Sequence, residues 1–344
     1  MPRVRQAVIL AGGEGTRLRP LTTTRPKPLL PVLGVPCIEY VIRSLADAGV
    51  QQVIIACGYR SEDIRTALGK GERFGVDIEM AFEREPMGTA GAVKLLEDRL
   101  DGTFVVGSGD TLTDADLGDL IDFHFRKGAE ATMGLTEVER PEQFGIVGVS
   151  AEGRIERFKE KPRTEEVFSR VINAGTYVLE PEVLKMIPPA TKYDFSKNLY
   201  MDMLEKGRGL YAEPLKGYWK DIGRPSDLYL ANMDMASRRP PTPPPSGAKV
   251  LGSCHFGPGV SVRGAVIIDS AVGRNCVLHG TVERSLLLDR VEVGVNASLN
   301  GCVIGEGCVI GDGASLSDCV LGDGATVSKG KVLVGAQVEA GSSI

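Results

Sequence analysis

Apolar residues follow two different periods along this chain. In the first part, short apolar runs alternate with stretches of helical spacing. Val4–Leu10 is a short, mainly apolar run ending in a glycine loop, which predicts a strand buried on both faces. Ile38, Val41, Ile42 and Leu45 recur at helical spacing, and Gly49 is placed to stop that helix. "QVIIACG" and "TFVVGSGD" repeat the buried-strand pattern, with Ser61 positioned to cap a helix between them. Strands alternating with helices predict an α/β fold built on a mostly parallel sheet covered on both faces. In such sheets ligands bind beyond the carboxyl ends of the strands, where Gly12–Arg17 and Asp110 would lie.

After residue 248 a six-residue period takes over. One train runs Val260, Val266, Val272 and Leu278, a second Val291, Ala297, Val303, Val309 and Ser315, and a third Val320, Thr326, Val332 and Val338. Small side chains at this period predict a parallel β-helix with a thin triangular core. The phase slips near Arg284 and Leu316 predict loops or irregular corners. Cys276, Cys302 and Cys308 then read as small core residues. Between the two patterns, "SRRPPTPPPSG" carries five prolines in eleven residues and predicts a stiff spacer. The expected division is a domain over 1–237, a linker over 238–247 and a β-helix over 248–344.

Composition narrows the function classes. A net charge of −5 gives no reason to expect nucleic acid or an anionic membrane as partner, and no run has transmembrane length. Seven cysteines, an odd number with no CxxC pair, read as reduced thiols, and a cytoplasmic location fits.

The chemistry is concentrated in "LAGGEGTRLRPLTTTRPKPLLPV", Leu10 to Val32. A glycine-rich turn after a first strand can present backbone N–H groups to phosphate oxygens. A P-loop would need Lys-Ser or Lys-Thr after its last glycine, and a dinucleotide fingerprint would need a glycine where Leu18 stands. The loop must bind phosphates by another arrangement, with Arg17 and Lys27 supplying charge and prolines 20, 26, 28 and 31 limiting its freedom.

That stretch resembles the signature of the sugar-1-phosphate nucleotidylyltransferases. "EPMGTAGAV", "GSGD", "FGIVGV", "FKEKP", "INAGTYVLEP" and "YWKDIGRPSDL" follow in family order, so the resemblance spans roughly the first 235 residues. It implies a Rossmann-like catalytic domain, often followed in this family by a left-handed hexapeptide-repeat β-helix. The implied substrates are a nucleoside triphosphate and a sugar 1-phosphate, the cofactor is Mg²⁺, and the assembly is a homo-oligomer. The substrate's own phosphate is the nucleophile, which agrees with only three histidines, none in a motif. The resemblance places the nucleotide on Leu10, Ala11, Gly12, Gly13, Gly15, Thr16, Arg17, Lys27, Glu83, Gly88 and Thr89. It places the sugar phosphate on Gly145, Glu160, Lys161, Asn173 and Gly175. Asp110 and Asp221 are the implied metal ligands; Arg17, Lys27, Asp110 and Lys161 are the implied catalytic residues. Phe144 departs from a tyrosine often found before that glycine.

Each residue also has a plainer reading: Asp110 as a helix N-cap, Asp221 as a turn residue, Arg17 and Lys27 as an exposed basic loop. Asn173 could simply end a strand, and Glu83 could face solvent. Where uridylyl and thymidylyl members commonly carry Gln, this chain has Glu83. An acceptor-only carboxylate suits the two adjacent donors of guanine, so the resemblance is greatest to the guanylyl branch, with mannose 1-phosphate as partner. The alternatives are UTP or dTTP with glucose 1-phosphate, an additional acyl transfer using His255 or His279, and a regulatory homologue without turnover. Every motif lies before the linker, so the β-helix is expected to be structural or oligomerising.

Overall fold

The computed structural model describes residues 4–83 and 85–344. Packing divides the chain into two compact units, Met1–Gly13 with Ile38–Trp219, and Glu14–Cys37 with Lys220–Ile344. The second unit thus unites an early loop with the β-helix, a partner far away in sequence.

The first unit is built on a nine-stranded sheet. Its strands are β1 (Gln6–Ala11), β2 (Gln52–Cys57), β3 (Asp77–Phe82), β4 (Phe104–Ser108), β5 (Ala131–Glu137), β6 (Gly145–Val149), β7 (Ile155–Glu160), β8 (Val171–Leu179) and β9 (Leu210–Pro214). The order is β7-β6-β8-β4-β1-β2-β3, with β5 also on β8 and β9 on β5. β4-β1-β2-β3 and β9-β5 are parallel. The β7-β6-β8 side and the β8-β4 and β8-β5 pairs are antiparallel, so the sheet is mixed. Apolar periodicity reports burial and not direction, which is why this was not legible.

Helices α1 (Cys37–Asp47), α2 (Ser61–Leu68), α3 (Gly88–Lys94), α4 (Leu117–Lys127) and α5 (Tyr200–Glu205) complete this unit. The expected helix ending at Gly49 is α1, with Ile38, Ile42 and Leu45 fully buried. Ser61 is not a cap: Arg60, in the left-handed region at φ 50°, precedes the helix and Ser61 is its first residue. Val8, Ile54, Phe104, Met133, Phe195 and Tyr200 belong to one buried cluster.

In the second unit, three parallel sheets of six, six and five short strands form the β-helix. Thr281 lies beside Ser298, Ser298 beside Ser315 and Ser315 beside Val332, a rise of 17 residues per turn. The Val266–Thr281 step is 15. A strict period of six would give 18 per turn, so the trains drift out of phase. Cys276, Leu278, Cys302, Ile304, Cys308 and Ile310 point inward, whereas Val309 and Val332 are 38% and 68% exposed. The slip at Arg284 is a left-handed corner, while Leu316 is buried mid-strand. Burial holds the thiols of Cys302 and Cys308 protonated, with pKa pushed up to about 12, consistent with packing and not reactivity.

Helix α6 (Pro225–Ser237) belongs to this unit as well. Its Tyr229 hydroxyl donates to the Asp269 carbonyl (2.8 Å), and its Asn232 Oδ1 accepts from the Leu33 amide (2.8 Å). Among the described residues no helix is long and apolar enough to cross a membrane.

Candidate active site

In the α/β unit the implied residues cluster at strand ends. β1 ends at Ala11, so Gly12 and Gly13 emerge into solvent where the buried strand stops. A Cβ on Gly12 would lie 3.4 Å from Glu83 Oε1. Glu83 follows β3, is half-buried, and accepts at Oε2 from the Met87 amide (3.2 Å). Its carboxylate therefore lies beside the Gly12 backbone, half-buried.

Gly88 opens α3 at φ 76°, where a Cβ would come 2.7 Å from the Tyr193 carbonyl oxygen; only glycine fits there. The amide and hydroxyl of Thr89 both donate to Asp194 Oδ1 (3.3 and 3.4 Å).

Asp110 stands just past β4, half-buried, and accepts from the Ser108 hydroxyl (2.5 Å). It caps no helix: α4 is capped by Asp116, which accepts from the Gly118 amide (2.8 Å).

Glu160 ends β7 directly opposite Gly145 on β6. A Cβ on Gly145 would meet Phe158 Cζ at 2.6 Å and Glu160 Oε2 at 2.8 Å, so the missing side chain makes room for the carboxylate. Burial raises the Glu160 pKa, opposed by the charges of Lys161 and Lys197 and a hydrogen bond from Ser196, with Asp194 adding to the rise. Lys161 is exposed, sits at φ 45°, and donates its amide to the Phe144 carbonyl (2.9 Å). Asn173 lies where the β8–β5 register breaks. Its Oδ1 accepts from the Gly175 amide (2.9 Å), and its Nδ2 donates to Tyr177 Oη (2.9 Å) and Ser196 Oγ (3.3 Å). Gly175 needs its freedom at φ 74° to make that turn. In place of a tyrosine hydroxyl, Phe144 brings a ring that packs edge-to-face with Trp219, with centroids 5.8 Å apart.

The second unit holds the cationic loop. Gly15, at φ 64°, would place a Cβ 3.0 Å from Lys27 Cβ and 3.1 Å from Thr22 Cγ2. The Thr22 hydroxyl donates to the Gly15 carbonyl (2.9 Å), and Thr16 and Arg17 form the short turn that follows. Leu18, Leu21 and Leu30 are fully buried beneath it. Lys27 is only 8% exposed, with Nζ 3.7 Å from Asp221 Oδ1. Around Gly223, the Cβ position lies 3.0 Å from Asp221 Oδ2 and 3.5 Å from both Arg17 Nη2 and Asp227 Oδ2. Arg17, Lys27 and Asp221 thus converge before the N-terminus of α6, and Asp227 anchors the turn by accepting from the Gly223 amide (3.1 Å). Lys27 is buried in this cluster, whereas Arg17 is exposed, as a basic loop residue would be.

Sequence reasoning missed Asp194, Ser196 and Lys197. They lie on or beside a π-helical turn, Phe195–Leu199, a feature often found at functional sites. One segment thereby touches Thr89, Asn173 and Glu160. "DFSKNL" carries a capping pattern but nothing that announces so wide a turn. Asp227 lay inside "GRPSDL" without a role of its own.

Comparison with known proteins gives the family of the chain. Residues 6–238 match the Nucleotidyl transferase family, and residues 254–343 match the family described as GlmU-like, C-terminal hexapeptide. The chain is 34% identical to a mannose-1-phosphate guanylyltransferase of Mycobacterium tuberculosis, covering 89% of this chain and 81% of that one. It is 33% identical to a UTP–glucose-1-phosphate uridylyltransferase of Synechocystis, covering 90% of each. Mannose-1-phosphate guanylyltransferase catalytic subunit beta of Danio rerio is 35% identical, covering 87% and 86%. A solved Bacillus anthracis chain assigned as a glucose-1-phosphate thymidylyltransferase superposes with a TM-score of 0.63 at 27% identity, over 70% of this chain and 98% of that one. The chain belongs to the nucleotidyl transferase family: it is a sugar-1-phosphate nucleotidyltransferase followed by a hexapeptide-repeat β-helix.

Proposed function

We propose that this enzyme joins GTP to mannose 1-phosphate, forming GDP-mannose and pyrophosphate. The observation that carries the base assignment is Glu83, half-buried against the Gly12 backbone. A carboxylate accepts from both N1–H and the 2-amino group of guanine. Uracil and thymine instead present a donor flanked by acceptors, which an amide matches better. Two of the relatives above carry the guanylyltransferase name, which supports the same base and sugar.

A phosphate oxygen of the sugar 1-phosphate attacks the α-phosphorus, and the bond to the departing pyrophosphate breaks. The enzyme supplies positioning and charge neutralisation. The glycine-loop amides, Arg17 and Lys27 take the triphosphate and steady the pyrophosphate as it leaves. Lys161 faces the sugar phosphate, while Glu160 accepts from vicinal hydroxyls and Asn173 and Gly175 shape the pocket wall.

Asp110 and Asp221 offer oxygen donors, and among the described residues no group of three or more His, Cys, Asp or Glu gathers as a metal cage. That donor set suits Mg²⁺, which usually takes one or two carboxylates and completes its shell with phosphate oxygens and water. When bound, the ion neutralises phosphate charge. A homo-oligomer working in the cytoplasm completes the proposal.

The second reading is UTP or dTTP with glucose 1-phosphate, favoured by the Synechocystis relative. Pyrophosphate release measured for each nucleoside triphosphate against each sugar 1-phosphate separates them. The pair GTP and mannose 1-phosphate is expected to give the highest kcat/KM.

A further inference from the structure

The cationic loop is tied to the β-helix by one ionic cluster. Arg25 Nη2 lies 2.6 Å from Glu306 Oε2 and 2.6 Å from Asp323 Oδ2. Glu306 and Asp323 flank successive turns of the β-helix, and Asp323 Oδ1 accepts from the Glu306 amide (2.8 Å), which fixes the pair. Neighbouring contacts complete the cluster: Thr24 Oγ1 donates to Asp323 (2.5 Å), and Arg290 pairs with Glu306 (2.5 Å). All three central side chains are largely withdrawn from water, at 20%, 24% and 16% exposure. Two carboxylates around one guanidinium, mostly desolvated, hold a geometry far better than an exposed pair would.

Arg25 stands two residues before Lys27, separated by a buried proline, and Pro28 follows, also buried. Proline fixes φ on both sides of the lysine, so a displacement at Arg25 passes to Lys27 with little backbone slack to absorb it.

We propose that Arg25, Glu306 and Asp323 are positioning residues for the reaction. Through them the β-helix holds the triphosphate-binding loop in its working shape. This rests on the phosphate-binding role given above to Lys27. It makes the hexapeptide domain part of the catalytic apparatus without giving it a reaction of its own.

The test uses the full-length enzyme and three variants: Arg25→Gln, Glu306→Gln/Asp323→Asn, and the triple combination. Steady-state pyrophosphate release is measured with each substrate varied in turn, alongside Tm and amide hydrogen exchange over residues 16–31. Misplacing a binding group by about 1 Å can cost on the order of 100-fold. The double variant is therefore expected to lose about 10- to 100-fold in kcat/KM for the nucleotide, with KM for the sugar 1-phosphate within about 2-fold. Exchange should accelerate in 16–31 and not in the α/β sheet. The triple variant should be no worse than Arg25→Gln alone, because each change breaks the same linkage. The proposal is overturned if the double variant is unimpaired while Arg25→Gln is crippled, since Arg25 would then be touching substrate itself. Losses that multiply in the triple variant, or that fall equally on both substrates together with Tm, overturn it as well. If the wild type turned over no substrate pair, the functional reading would fail, while exchange in 16–31 would still decide whether the cluster holds the loop.

Discussion

The α/β unit and the loop of the second unit hold the side chains proposed for the site by different means. Asp110 is fixed by Ser108 two residues away, Asn173 by Gly175, and Glu160 by its register opposite Gly145. These supports are local or follow from sheet pairing. The loop at Arg25 is secured by Glu306 and Asp323, 281 and 298 positions along the chain. A site element supported by its own strand inherits the strand's rigidity. One supported from a distant domain inherits whatever disturbs that domain.

The largest effect expected on the locally supported side comes from Asp110→Asn. The amide keeps size and the hydrogen bond from Ser108 but removes an anionic ligand. Turnover should fall about 10²- to 10³-fold with Tm nearly unchanged, by analogy with the loss of other transition-state charge contacts. Activity preserved across a Mg²⁺ titration would remove Asp110 from the metal site.

Gly145→Ala tests the register support. The new methyl would displace Glu160 or the Phe158 ring, so KM for the sugar 1-phosphate should rise about 10- to 100-fold while KM for the nucleotide stays put. Overpacking of this kind should also cost about 1–3 kcal/mol of stability, measurable by denaturant unfolding.

A smaller effect follows from the raised pKa of Glu160. The ionised form is the stronger acceptor for the sugar hydroxyls, so KM for the sugar phosphate should climb on acidification, beginning above the ordinary glutamate range. Glu160→Gln should flatten that dependence. Because the folded-state pKa lies above the unfolded one, the folded protein binds this proton more tightly. The side chain's stability contribution therefore improves as pH falls through the raised pKa and worsens as pH rises through it.

Within the β-helix, Leu299→Ala should cost about 2–5 kcal/mol because its side chain is fully buried. Val332→Ala, at an outward position, should stay within about 0.5 kcal/mol, and neither change should alter substrate preference.

These contrasts mark what was legible in the sequence. β1, β2 and β4 were readable because buried parallel strands are continuous apolar runs, and the β-helix because its corners demand small residues at short intervals. The side chains proposed for the site at strand ends rest on motifs whose chemistry is local. Which valine faces inward was only half readable: turns of 15 and 17 residues differ from three equal sixes by amounts that no single window reveals. The partners of Arg25 were invisible. In the sequence, "TTTRPKP" shows an arginine among prolines, and Glu306 sits in an unremarked "GEG"; only folding makes them neighbours. The π-helical turn at Phe195–Leu199 escaped for a similar reason, since Phe195 and Leu199 are buried among core residues distant in sequence.

The base assignment depends on a single carboxylate, and Glu83→Gln tests it most directly. The amide would oppose its NH₂ to a guanine donor, leaving a donor unpaired at a cost of about 1–3 kcal/mol, or roughly 5- to 150-fold in GTP efficiency. The quantity to measure is the ratio of kcat/KM for GTP and UTP at saturating sugar phosphate, in wild type and variant. The wild type is expected to prefer GTP, and the variant's ratio to move toward UTP by that factor. An unchanged ratio would take Glu83 away from the base, and a wild type that prefers UTP would contradict guanylyl transfer outright.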